Sequence, residues 1–273
     1  MTQKNSKPFS QAPQGSEKKR GTRINNAPPD LYDPNVPRIG RRESEPHSAE
    51  STYIHDVLNT NFPEGRALWD LHHYFTLSRG PLKGKPVDIV FDGSFFKDLN
   101  IPHTLSSYKA KEYGGKVPDL TVNVLSKSTW RNDLSQNVDV CKDLAIPVYA
   151  VFSPYKVTTT RYHPPFLRAY LLQDNGMYKQ EELNEITVKE GGSVNEEHLI
   201  DINHGLPFSL GLMERKQEHK GDQQLYRLIF VDPSNLEVLP TQMEKKLREK
   251  DEKLREKDEK LREKDEKLRE KDE

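Results

Sequence analysis

The stretch from Asp119 to Phe152 constrains this chain most. Leu120-Thr121-Val122-Asn123-Val124-Leu125 is a β-type run, and Val148–Phe152 is almost continuously apolar. A strand that is apolar at successive positions needs cover on both faces. Between them, residues 130–145 place Leu134, Val138, Cys141 and Ala145 on one helical stripe, and Ile146-Pro147 ends it. Strand, helix and strand in that order predict a βαβ-like unit, and hence a single α/β or α+β domain.

The flanking segments extend that unit. Val87–Phe91 reads as a strand, and Leu68, Leu71 and Phe75 predict one face of a helix over 64–77. After the unit, Arg168–Leu172 and Met177–Glu181 flank Asn175-Gly176, a strong hairpin signal. Leu225–Val231 and Leu236–Leu239, around Asp232-Pro233-Ser234-Asn235, predict a further hairpin. The folded body is thus expected over 52–242, with a tail at 1–51 and a helix at 243–273.

The two ends differ in kind. Residues 1–50 contain seven prolines, with nine Lys/Arg against six Asp/Glu. Such a segment buries too little apolar surface to offset its ordering entropy, so the expectation is a disordered, solvated tail. The C-terminal end repeats DEKLREK at 251–257, 258–264 and 265–271, placing leucines at 247, 254, 261 and 268. Helix is expected, with Glu249–Lys253 and Glu256–Lys260 at the favourable i,i+4 spacing, worth roughly 0.2–0.5 kcal/mol each. A coiled coil needs two apolar seam positions per heptad, whereas here Asp or Lys fills the second. A solitary charged helix is the first expectation and weak self-association the second.

Composition excludes several classes. The net charge is −1, so the chain as a whole is not a polycation for nucleic acid, although a local basic patch remains open. One cysteine, Cys141, rules out a disulfide framework or a multi-cysteine zinc site, and its place on the apolar stripe predicts a buried thiol. No apolar run reaches membrane-spanning length and the N-terminus lacks an apolar signal core, so a cytosolic protein is expected. Phosphate loops, dinucleotide fingerprints, nucleophile elbows and HExxH helices do not occur.

Chemistry then rests on polar residues within strands. Asp88 interrupts Val-Asp-Ile-Val-Phe, where a carboxylate must pair, bind a metal or reach an exposed strand end. Asp119 and Asn123 lie on one face of the next strand. Oxygen ligands converging from neighbouring strands are a usual way to hold Mg²⁺. Ser126, Ser128 and Thr129 are placed to cap the following helix, with Asp133 assisting through the helix dipole. Lys97, Lys109, Lys111 and Lys116 are either phosphate contacts or a solvated loop. His72 and His73, being adjacent, face apart and make poor joint ligands.

Residues 106–129 and 132–154, SSYKAKEYGGKVPDLTVNVLSKST and NDLSQNVDVCKDLAIPVYAVFSP, resemble the Uma-type restriction endonuclease family of the PD-(D/E)XK nuclease superfamily. The resemblance runs over roughly 60–242. It implies an α/β restriction-endonuclease-like core, a central mixed β-sheet flanked by helices, with the charged helix following it. It further implies Mg²⁺-dependent hydrolysis of DNA phosphodiesters by an Asp, a Glu and a helix-borne Lys. Those positions fall at Asp88, Asn123 and Asn137. Two of the three have lost their charge, so catalysis is expected to be impaired, unless Asp119 and Lys127 substitute. The alternative is a non-catalytic module that binds DNA or a protein, with the C-terminal helix as spacer or self-association element.

Overall fold

The computed structural model describes residues 44–157, 161–202, 204–217 and 219–272. The N-terminal tail up to residue 43 lies outside the described residues. In chain order the elements are α1 (Glu45–Asn61), β1 (Arg66–Leu68), β2 (Leu71–Thr76), β3 (Pro86–Phe91), β4 (Gly93–Phe96), β5 (Ser107–Lys109) and β6 (Leu120–Val124). They continue with α2 (Trp130–Asp133), α3 (Gln136–Leu144), β7 (Val148–Phe152), β8 (Leu167–Leu172) and β9 (Tyr178–Leu183). Last come β10 (Val188–Lys189), β11 (Ser209–Glu214), β12 (Tyr226–Asp232), β13 (Glu237–Val238) and α4 (Gln242–Asp272).

A six-stranded mixed sheet, in the order β1-β4-β6-β7-β8-β9, forms the centre. Only β6 and β7, joined through α2 and α3, are parallel neighbours; the other pairs are antiparallel. Both strands of the parallel pair are buried at every residue, as their apolar content demands. Alternation along β6 divides the interior in two. Leu120, Val122 and Val124 face α1 and the β10-β11-β12-β13 sheet, through Ile54, Val57, Leu210 and Phe230. The opposite face, with Tyr149, Val151 and Tyr170, packs on α3 and the three-stranded β3-β2-β5 sheet. The expected α/β class, a central mixed sheet flanked by helices with a C-terminal helix beyond it, is what the chain forms.

Two expectations for the N-terminal part of the chain are corrected. The helix expected over 64–77 is instead β1 and β2, separated by Asp70 at φ +49°. In β2 the inward residues His73 and Phe75 are two apart, and a run of His, Tyr and Phe suits a pleated strand. The leucine and phenylalanine spacing satisfied a helical template only by coincidence. The other correction is that α1 begins at Glu45, inside the stretch expected to be tail. Its first turns hold together through distant partners: Glu50, 2% exposed, accepts from Arg227 Nε at 3.1 Å, and the same guanidinium lies 4.1 Å over the Tyr53 ring. Nothing local in the sequence announces Arg227 as that partner.

The single helix expected over 130–145 is broken after Asp133. The Tyr149 hydroxyl donates to the Asp133 carbonyl at 2.8 Å, and the chain restarts as α3 after Ser135. Cys141 is buried, and burial pushes its thiol above the ordinary range. The C-terminal helix is seated by a capping box: Glu244 N–H donates to Thr241 Oγ1 at 3.2 Å, while Thr241 N–H donates to Glu244 Oε2 at 2.7 Å. Its leucines 247, 254 and 261 are 51%, 58% and 58% exposed. No described helix is long and apolar enough to cross a membrane.

Candidate functional site

The polar residues of greatest interest converge where β6 faces α2 and α3. Thr121 and Asn123 are the side chains of β6 that point away from the α1 side, so Asn123 reaches the helices. Its Nδ2 donates to Asp133 Oδ1 at 2.9 Å and lies 3.3 Å from the Tyr149 hydroxyl. Asn137, on the first turn of α3, donates its own Nδ2 to the same Asp133 Oδ1 at 3.0 Å. Two residues predicted from sequence are therefore brought together, but by a third, Asp133, which sits between them. Asp133 Oδ2 is buried without a hydrogen bond.

Burial governs Asp133. It pushes the carboxyl up to about 7, and the negative charge of Asp92 adds to this, while the Thr129 hydroxyl and the Asn123 amide oppose it. Asp92 closes the site from β4's side. Its N–H donates to Asn123 Oδ1 at 3.4 Å, and its Oδ2 accepts from Val124 N–H at 2.7 Å. His47 Nε2 from α1 lies 3.3 Å from that same Oδ2. Burial also drives the Tyr149 hydroxyl well above its ordinary range, with the Asp133 charge adding.

The remaining predicted residues lie elsewhere. Asp88 sits on β3, in the separate three-stranded sheet, where Oδ1 is 2.6 Å from His72 Nδ1 on the neighbouring strand. It is not among the hydrogen-bond partners of Asn123. Asp119 precedes β6 and uses Oδ2 to accept from Lys97 N–H at 2.7 Å, a tether between β4 and β6 rather than an open ligand. Lys127 is exposed in the loop before α2. In that loop Ser126 Oγ accepts from Thr129 N–H at 3.2 Å, but α2 carries no side-chain N-cap, so the capping expected of Ser126, Ser128 and Thr129 is not what forms. Of the four loop lysines, Lys97 reaches Gly205 O and Lys116 reaches Asp98 O, while Lys109 pairs with Glu112 at 3.4 Å.

Sequence reasoning missed Asp92, Tyr149 and His47, and cast Asp133 only as a helix-dipole residue. Asp92 had a legible signal, since it ends the apolar run as Phe-Asp-Gly and lies one residue before β4. Tyr149 and His47 had none.

The amides weaken any Mg²⁺ site here. Mg²⁺ is usually bound through one or two carboxylates, with water or phosphate completing its shell. Here the amides of Asn123 and Asn137 turn N–H groups toward the carboxylate where the resemblance implies a carboxylate and a lysine. The Asn123 oxygen is taken up by the Asp92 N–H. Among the described residues, no three His, Cys, Asp or Glu side chains group as a metal site would require.

No family model matches the chain, and no curated protein does. Among solved structures it is similar to a candidate nuclease belonging to DUF820 from Anabaena variabilis. That match has 18% identity and a TM-score of 0.38, over 53% of this chain and 70% of the other. A similarity of that size fixes neither a family nor an activity for this chain.

Proposed function

We propose that this protein is a nuclease-like domain that no longer hydrolyses phosphodiesters and acts as a nucleic-acid-binding module. The observation that carries the loss of hydrolysis is the double amide on Asp133. Where the resemblance implies a metal-binding Glu and a cationic Lys, Asn123 and Asn137 are both committed to one buried carboxyl. Removing a negative ligand and a cation from such a site costs orders of magnitude in rate. The substitutes considered from sequence add little, because Asp119 already holds the Lys97 amide and Lys127 points from an exposed loop. The binding half of the reading comes from the resemblance to DNA-cutting enzymes.

The test is cleavage of supercoiled and linear DNA with Mg²⁺ or Mn²⁺ by the wild type, by Asp88→Ala and by Asn123→Glu/Asn137→Lys. The wild type is expected to leave both substrates intact. Cutting by the wild type that Asp88→Ala abolishes would overturn the proposal and return Asp88 to the catalytic role the resemblance implies.

A second reading concerns α4. Its exposed leucine column favours a spacer or a weak self-association element, as the heptad spacing suggests. Light scattering on the chain truncated after residue 242 decides between them: unchanged mass per particle leaves the spacer.

A further inference from the structure

A cleft of about 670 Å³, the size of a small-molecule site, lies at the end of β2 and β5. None of the residues of the Asp133 junction lines it. Phe75, Val117 and Leu144 give it apolar surface, and Phe75 and Leu144 belong to the core beneath the three-stranded sheet. Lys109 and Lys111 line it as well, and no acidic side chain does.

The segment Lys109-Ala-Lys-Glu-Tyr-Gly-Gly builds the cationic side. β5 ends at Lys109, a 3₁₀ turn runs over Ala110–Tyr113, and Gly114 stops it in left-handed backbone at φ +68°. Aromatic contacts fasten that turn to the sheet. The Tyr113 ring stacks on Tyr108 with centroids 5.4 Å apart, and the Tyr108 hydroxyl donates to the Lys116 carbonyl at 2.7 Å. Gly115 follows at φ +76°, and a Cβ on either glycine would meet nothing within 4 Å. The two glycines therefore line the cleft with backbone alone and leave its volume open.

Both lysines can meet an anion there. Lys111 is exposed and makes no ion pair among the described residues. Lys109 Nζ lies 3.4 Å from Glu112, but both side chains are more than half exposed, so that pair is weak and exchangeable. Thr76, exposed at the end of β2, adds a hydroxyl to the lining.

We propose that the cleft binds a nucleoside monophosphate. The base lies against Phe75, Val117 and Leu144, the phosphate meets Lys109 and Lys111, and the sugar meets Thr76. Two lysines match a dianionic head, whereas a carboxylate carries a single charge. A base with its sugar also uses a volume that a simple aromatic acid leaves mostly empty. The assignment stands on the cleft and does not depend on the nucleic-acid-binding reading.

The test is calorimetric titration of the full-length protein with adenosine 5′-monophosphate, adenosine, inorganic phosphate and benzoate. The nucleotide should bind saturably with a dissociation constant below about 1 mM, more weakly as salt rises. Adenosine, phosphate alone and benzoate should each bind at least several-fold more weakly. Lys111→Glu, at an exposed position, should weaken the nucleotide by about tenfold. Thr76→Trp, which fills the cleft from an exposed position, should abolish binding, with thermal unfolding run beside it to show a folded chain. Lys253→Glu on α4 should bind as the wild type does.

No saturable nucleotide binding would overturn the proposal. Adenosine bound as tightly as the nucleotide would remove the role of the lysines, and benzoate bound as tightly would overturn the choice of ligand. Nucleotide binding that is unaltered in both Lys111→Glu and folded Thr76→Trp would overturn the location.

Discussion

Asp88 on β3 and Asp133 at the end of α2 are both almost out of water, with side-chain or residue exposures of 5% and 4%, yet they are accommodated in opposite ways. Asp88 has a basic partner, the His72 ring at 2.6 Å across a two-strand pair. Asp133 has two neutral amides and the Thr129 hydroxyl, with the Asp92 carboxylate nearby and the His47 ring set against Asp92. Amide N–H groups satisfy an oxygen but do not balance a buried charge, so Asp133 is held toward its protonated form. The carboxylate that looks most like a catalytic group in the sequence is paired away from Asn123. The one at the Asn123–Asn137 junction is held toward its neutral form by burial.

The contrast can be broken from either side. The largest effect is expected from Asn123→Asp, which sets a new buried carboxylate between Asp133 and Asp92. It should lower stability by about 3–5 kcal/mol at pH 8, read by urea unfolding, with a smaller loss at pH 5 where the carboxyls share protons. A variant as stable as the wild type at pH 8 would mean the junction already holds a cation.

Next is Asp133→Asn. The folded-state value of Asp133, about 7, lies above its ordinary 3.8. Its contribution to stability is therefore fully present below pH 3.8 and is lost as pH rises through about 7. Asp133→Asn removes that loss, so it should exceed the wild type by as much as about 4 kcal/mol at pH 8 and converge on it near pH 4. Glu50, raised to about 6 by burial, titrates in the same direction, so the variant and the wild type are compared at each pH. A variant less stable than the wild type at pH 8 would show that Asp133 is a paired anion.

On the other carboxylate, Asp88→Asn should destabilise by about 1.5–3 kcal/mol, the range for a hydrogen bond to a charged group, with no effect on Asn123. Smallest is Leu254→Ala on α4. With that leucine 58% exposed, the change should stay within about 0.5 kcal/mol; a larger loss that grows with protein concentration would reveal self-association.

Much of the scaffold was legible in the chain. The all-apolar runs of β6 and β7, the Asn175-Gly176 hairpin and the leucine heptads of α4 declare themselves through local periodicity and turn chemistry. The start of α1 did not, because Glu50 and His47 are acceptable helix residues only once Arg227 and Asp92 stand beside them. β2 failed for a different reason: a four-residue apolar spacing fits helix and strand templates alike until the buried partners are known. The site was half legible. Asn123 and Asn137 were found as positions, but their common partner Asp133 lies 10 residues from one and 4 from the other, and only the β6–α2 crossing makes the triad.

The most direct measurement is the titration of the Asp133 carboxyl by ¹³C NMR, with and without millimolar Mg²⁺. The midpoint should lie near pH 7 and stay there when Mg²⁺ is added, because the two amides leave no oxygen cradle for the ion. A midpoint that drops by several pH units on adding Mg²⁺ would contradict this account and show a working metal site at the junction of β6, α2 and α3.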